Sequence, residues 1–247
     1  MYMSGTFENP NKEYAQLSYN YANEVIESNQ FSLLSRSTFM TYNELAPDAA
    51  SQTETIFAVK FIASDWDDWG SPLGSMYAEI DGQGWGEVYA SAKYMDLLHE
   101  TGKNTDAREA FIHPQYKKND AGDQIPAFRF VANLYTDGKI SGYVYRQGET
   151  KEVGGKLIAT VDDEEYTLTP VDVDNKRYSI SYKGKTYVGD YDYLMLESQG
   201  NPKFYSYKCS KQEGYPHLYS PVISRLGELY LIRAEASAKL GLSLIHI

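Results

Sequence analysis

A chain of 247 residues with 42% hydrophobic and 23% charged side chains has the makeup of an ordinary folded protein, with enough apolar residues for one large core or two small ones. Its formal net charge of −11 repels polyphosphates and anionic lipid headgroups alike, which argues against nucleic-acid binding and against electrostatic attachment to a membrane surface. Cys209 is the single cysteine, so an intrachain disulfide is excluded, and no run approaches the roughly 18 uninterrupted apolar residues of a membrane-spanning helix.

The first ten residues, M-Y-M-S-G-T-F-E-N-P, have neither the basic nor the apolar region of a signal peptide. From Asn11 to Asn29 the residues Tyr14, Leu17, Tyr21 and Val25, with Ser18, Ala22 and Ile26 beside them, recur at helical spacing and predict an amphipathic helix. Phe31 to Asn43 reads as irregular or short helical segments, and Glu54 to Ile62, E-T-I-F-A-V-K-F-I, as a short strand.

Ser64 to Ser91 forms the most aromatic loop of the chain. Gly70, Pro72, Gly74, Gly82, Gly84 and Gly86 forbid a long helix across it, so Trp66, Trp69, Tyr77 and Trp85 are held by loop. Indole faces suit the C–H face of a pyranose, and Asp65, Asp67, Asp68, Asp81 and Gln83 supply groups for sugar hydroxyls. Trp85, between two glycines, fits equally a role as a plug that fastens the loop to its scaffold. The Asp-x-Asp-Asp cluster lacks the spacing of a calcium loop.

Glu87 to Thr101 predicts a helix carrying Val88, Ala92, Met95 and Leu98 or His99 on one side and ending at Gly102, with His99 as a helix-end cation rather than a ligand. Between Lys117 and Leu196 the period changes from helical to alternating. Strands are expected at Lys156 to Val161, Glu165 to Thr169, Arg177 to Lys183 and Thr186 to Val188; in the third, Tyr178, Ile180 and Tyr182 face one way and Arg177, Ser179, Ser181 and Lys183 the other. That pattern describes a half-buried antiparallel meander.

Ser220 to Gly241 carries the strongest helical signal, with Ser220 placed as N-cap, Pro221 in the first turn and Gly241 just past the end. Leu226, Leu229, Tyr230, Arg233, Ala236, Ser237 and Leu240 form its stripe, and Leu226-Gly227-x-x-Tyr230 has the spacing of the first helix of a tetratricopeptide repeat, where the glycine admits a neighbouring helix. Such a stripe needs a partner, so association through Leu226, Tyr230 and Leu240 is expected.

No nucleophile-and-base pattern, metalloprotease helix or glycine-rich phosphate loop is present, and His99, His113, His217 and His246 fall outside any metal-ligand spacing. No cofactor and no metal are expected. Carboxylates are numerous enough that composition by itself leaves a glycoside hydrolase open.

The run Arg225, Leu226, Glu228, Tyr230, Leu231, Arg233, Ala234, Glu235 and Ala236 closely resembles the signature helix of the SusD/RagB family, and is expected to be structural. The Asn11–Asn29 run looks like the second helix of a repeat in that family, and Asp106 with Arg108 resembles its Asp-x-Arg segment, read as a structural pair. The resemblance implies a mostly α, tetratricopeptide-like superhelix with inserted loops and a small antiparallel β meander at residues 153–196. It implies oligosaccharide capture at the bacterial surface and delivery to a SusC-like TonB-dependent transporter, without catalysis or nucleic acid. The outer membrane would be reached only through a lipidated N-terminus upstream of Met1. Glycan contacts are expected at Trp66, Trp69, Tyr77, Trp85, Asp67 and Asp68. A peptide-capturing RagB-like member and a helical scaffold for protein partners are the alternatives. Residues 1–241 are then a partial family domain, and Leu242 to Ile247, which reads as adapter-encoded, is expected to be a non-native tail.

Overall fold

The computed structural model describes residues 2–65, 70–102 and 105–242. Five α-helices are found there: α1 (Lys12–Glu27), α2 (Arg36–Phe39), α3 (Pro72–Tyr77), α4 (Ala92–Leu98) and α5 (Leu226–Leu240). The strands are β1 (Thr55–Ala58), β2 (Tyr89–Ala90), β3 (Ile112–Pro114), β4 (Pro126–Thr136), β5 (Lys139–Val153), β6 (Lys156–Val161) and β7 (Glu164–Thr167). After them come β8 (Thr169–Asp172), β9 (Arg177–Tyr182), β10 (Lys185–Tyr193), β11 (Glu197–Ser198), β12 (Asn201–Pro202), β13 (Phe204–Ser206) and β14 (Val222–Arg225). Strand content of 36% exceeds helix content of 30%, so the expected mostly α, tetratricopeptide-like superhelix is wrong: the fold is mixed, and its largest element is a curled antiparallel sheet.

The chain divides into two compact units, Met1–Gly74 with Cys209–Ile247, and Ser75–Lys208. In the first, α1 and α5 pack together. Asn11 caps α1 by accepting a hydrogen bond from the Tyr14 N–H at 3.3 Å, and Ala15 and Ala22 are buried. The helices run antiparallel, since Arg233 Nη1 donates to Asn23 Oδ1 at 2.9 Å while Lys239 Nζ donates to Ser4 Oγ, ahead of α1, at 2.9 Å. Leu226, Ala236 and Ser237 are buried as the stripe predicts.

Helix α5 starts five residues later than expected. Residues 222–225 are strand because β1 offers them an antiparallel edge, with Thr55 opposite Arg225 and Ala58 opposite Val222. Ser220 is no N-cap; its Oγ accepts from the Phe61 N–H at 2.9 Å and donates to the Phe61 carbonyl at 3.2 Å. The cap comes from a remote residue. Glu54, 7% exposed, accepts from the N–H groups of Gly227 and Leu34, each at 3.2 Å, and its carbonyl accepts from the Leu226 N–H at 2.9 Å. A carboxylate at a helix N-terminus satisfies an orphan donor and complements the dipole. This also explains Gly227: a Cβ there would lie 2.8 Å from Glu54 Oε1, so the glycine makes room for a carboxylate rather than for a neighbouring helix.

The second unit is built on the seven-stranded sheet, in the order β7-β6-β5-β4-β10-β9-β8. Its two edge strands are consecutive in the chain, joined by Leu168 alone, so the sheet must curl until its edges meet. The curl encloses Phe128, Phe130, Ala132, Ala159, Val161, Leu168, Ile180 and Tyr182, all at most 5% exposed. As expected, Tyr178, Ile180 and Tyr182 point to this core; β6 has the expected bounds. The two longest strands, β4 and β5, were not foreseen individually. In β4 the residues Ala127, Phe128, Arg129 and Phe130 are all buried, because the curl covers one face and α4 the other, and alternation is lost where both faces are covered.

The helix expected over Glu87–Thr101 is shorter: β2 occupies its start, and Ser91 caps α4 by accepting from the Tyr94 N–H at 3.2 Å. Met95 and Leu98 of α4 join Tyr145, Met195 and Phe204 in a second core on the outer face of the sheet.

Candidate functional site

Two polar regions of the second unit invite a functional reading. One is buried. Arg129, Asp190 and Arg177 stand in a cross-strand row, since Asp190 of β10 is opposite both Arg129 of β4 and Arg177 of β9. Arg177 Nη1 donates to Asp190 Oδ1 at 3.0 Å; Arg129 Nη2 and the Tyr116 hydroxyl donate to Asp192 Oδ2 at 2.8 and 2.7 Å. His99, 2% exposed, ends α4 with Nδ1 2.7 Å from Asp190 Oδ2 and Nε2 2.9 Å from Glu109 Oε1. Burial opposes a charged imidazole, but the hydrogen bonds and charges of Asp190 and Glu109 outweigh it and hold the His99 pKa above its ordinary value. With both ring nitrogens facing carboxylates, the imidazolium is the form that fits.

The row is a structural knot rather than a reaction centre. The cavity beside Arg129, Tyr145 and Asp190 has a volume of about 20 Å³, room for roughly one water and for no substrate. Burial also pushes the Tyr116 and Tyr145 hydroxyls well above the ordinary tyrosine range, so they stay neutral donors.

The other region is the aromatic loop. Ile80 and Gln83 exchange backbone hydrogen bonds of 2.8 and 2.9 Å around Asp81-Gly82, both at positive φ, which makes a two-residue mirror-image turn. Just beyond it the Trp85 and Gly86 N–H groups donate to the Ser75 carbonyl at 2.6 and 3.2 Å, and those of Glu87 and Val88 to the Met76 carbonyl, both at 2.8 Å. Gly86, at φ +56°, passes so close to Tyr205 that a Cβ would lie 2.6 Å from its Oη. The loop is thus fastened through its main chain, and Trp85 is left 43% exposed. Tyr77, the last residue of α3, is half-buried. Gln83 Oε1 has no hydrogen-bond partner among the described residues, and Asp81 is exposed.

Beside this loop the Tyr207 ring stacks on His113 with centroids 4.7 Å apart, and burial, with the charge of Asp81 adding to it, raises the Tyr207 pKa. Of the residues nominated from the sequence, Tyr77 and Trp85 belong to one anchored segment, whereas Trp66, Asp67, Asp68 and Trp69 lie outside the described residues. The Asp106–Arg108 pair takes the expected form: Asp106 accepts from the backbone and guanidinium of Arg108.

The signature residues are accounted for within the first unit. Arg225 stands 5.4 Å from the Phe39 ring centroid, Arg233 lies 5.1 Å over Tyr230, and Glu235 accepts from Lys239 at 2.7 Å; Leu226 and Ala236 are buried, Ala234 is half-buried, and Glu228 and Leu231 are exposed.

The family model described as "SusD family" matches residues 53–243, and the chain belongs to the SusD family. Members are nutrient- and glycan-binding surface components, generally non-catalytic, typically outer-membrane-associated lipoproteins, and they associate with SusC-like transporters. Neither a search of curated proteins nor a search of solved structures returns a match. Among the described residues no helix is long and apolar enough to cross a membrane.

Proposed function

We propose that this chain captures oligosaccharides at the bacterial outer-membrane surface and passes them to a SusC-like TonB-dependent transporter, without catalysis. The carrying observation is Trp85, an exposed aromatic residue on a loop whose backbone is hydrogen-bonded into place, with the exposed Asp81 in the adjoining turn. An aromatic residue on a backbone already fixed costs less ordering on binding than one on a loose loop, and an exposed indole offers a face for the C–H side of a sugar. Trp66 and Trp69 would add further stacking faces, with Tyr77, Asp67 and Asp68 as contacts. The membrane would be reached through a lipidated N-terminus.

The test is affinity electrophoresis of the chain in gels containing soluble polysaccharides, comparing wild type with Trp85→Ala. Retardation by at least one polysaccharide, weakened about tenfold in the variant, supports the reading; retardation that Trp85→Ala leaves unchanged removes Trp85 from the site. A second reading, contact with a peptide or protein, has one observation in its favour: an apolar groove on α1 and α5 lined by Tyr14, Leu17, Tyr21, Leu229 and Ile232. Absence of binding to every polysaccharide would give that reading the greater weight.

A further inference from the structure

We propose that the polar groove beside α4 is a second sugar-binding site, separate from the Trp85 loop and suited to one neutral sugar residue; the proposal rests on the glycan-binding reading above. On the outer face of the sheet, α4 covers only part of the strands. Asn133 of β4 and Thr186 and Val188 of β10 continue past its edge, and the space between them and α4 has a volume of about 270 Å³. At ~30 Å³ per water that is about nine waters, the bulk of a single sugar ring.

The lining matches a pyranose chemically. Leu97, 55% exposed, with Val131 and Val188, provides an apolar strip for C–H groups. Polar groups stand around it. Lys93 and Asp96 pair at 3.1 Å and Arg177 is taken up by Asp190, so no surplus positive charge selects for an acidic sugar. Glu100 and Thr186 have no side-chain hydrogen bond or ion pair among the described residues, and Asn133 uses only its amide N–H, donating to the Tyr135 hydroxyl at 3.3 Å. A carboxylate, a hydroxyl and an amide carbonyl therefore face one cleft with capacity to spare, which is what a ligand carrying several hydroxyls requires. Tyr143, 51% exposed, is the cross-strand partner of Asn133 on the same face, and the Lys93 ammonium lies 5.0 Å from its ring centroid, which puts an aromatic ring at the rim.

The experiment is titration calorimetry of the full chain with soluble starch, arabinoxylan, xyloglucan and galactomannan. It compares wild type, Trp85→Ala, Tyr143→Ala and the double variant Glu100→Gln/Thr186→Val. On the polysaccharide that wild type binds, Tyr143→Ala and the double variant are each expected to weaken affinity about tenfold, and to do so again in a Trp85→Ala background. The double variant keeps side-chain volume at exposed positions, so it decides alone if Tyr143→Ala lowers the melting temperature. Wild-type affinity in the double variant, with affinity lost only in Trp85→Ala, overturns the groove and leaves the glycan reading standing. Failure of wild type to bind any of the four overturns both.

Discussion

The curled sheet and the α1–α5 pair solve the same problem with opposite results. Each carries a broad apolar surface, but the sheet closes over its own: β7 and β8, adjacent in the chain and at opposite edges of the sheet, draw the strands around Phe128, Phe130 and Ile180 until these are nearly solvent-free. Among the described residues the outer side of the helix pair stays uncovered. Tyr14, Leu17 and Tyr21 stay 36%, 39% and 65% exposed, with Met3 and Leu231 also open to solvent. A sheet can bend to become its own second layer, whereas two helices bury only the seam between them and need a further element for the rest.

This contrast can be broken at the sheet first. Phe128→Ala removes a fully buried ring from the enclosed core and should cost about 3–5 kcal/mol, measured as a lower denaturation midpoint. A loss under about 1 kcal/mol would mean that the curl does not seal. Next is the buried row. His99→Gln leaves Asp190 and Glu109 short of a cationic partner and should cost about 3 kcal/mol near pH 6.

The same residue sets a pH dependence. Because the folded His99 pKa lies above the unfolded value near 6.5, its contribution is fully present below pH ~6.5 and is lost as pH rises through the folded pKa. Melting temperatures in the wild type should therefore fall as pH is raised above about 6.5, and His99→Gln should flatten that fall; an equal slope in both would show that another group titrates.

In the helix pair the effects shrink. Glu54→Ala leaves the N–H groups of Gly227 and Leu34 unpaired and should cost about 2 kcal/mol, seen as a lower melting temperature with helix content reduced. Smallest is the double variant Leu17→Ser/Tyr21→Ser, at residues already open to solvent, which should change stability by less than about 0.5 kcal/mol while lowering binding of a hydrophobic dye. A large destabilisation there would show that the open surface is covered in solution.

The legible parts of the chain were those with local causes. Helices α1 and α5 announced themselves by spacing, and α5 also by Gly241, which sits at φ +73° as its terminator, although Ser220 did not serve as its N-cap. The facing of Tyr178, Ile180 and Tyr182 could be read from alternation within six residues. Trp85 was visible as an aromatic between glycines, but whether its indole plugged the loop or faced solvent was not, because Ser75 and Met76 hold that loop through carbonyls that carry no side-chain signal. The polar groove was out of reach as well: Glu100, Asn133 and Thr186 are unremarkable singly and meet only through strand register.

What the sequence determined by itself is the set of local conformations and, through the Arg225–Ala236 run, membership of the SusD family. Tertiary structure decided the rest. It turned residues 222–225 from helix to strand because β1 stood ready to pair, supplied the α5 cap from Glu54, and buried Arg177 and His99 by bringing Asp190 and Glu109 to them. It also made the sheet, not the helices, the largest body of the fold. The physical reason is common to all of these: propensity and capping act within a turn or two, while the partner that satisfies a buried polar group or a strand edge sits tens to hundreds of residues away, and only the folded chain selects it.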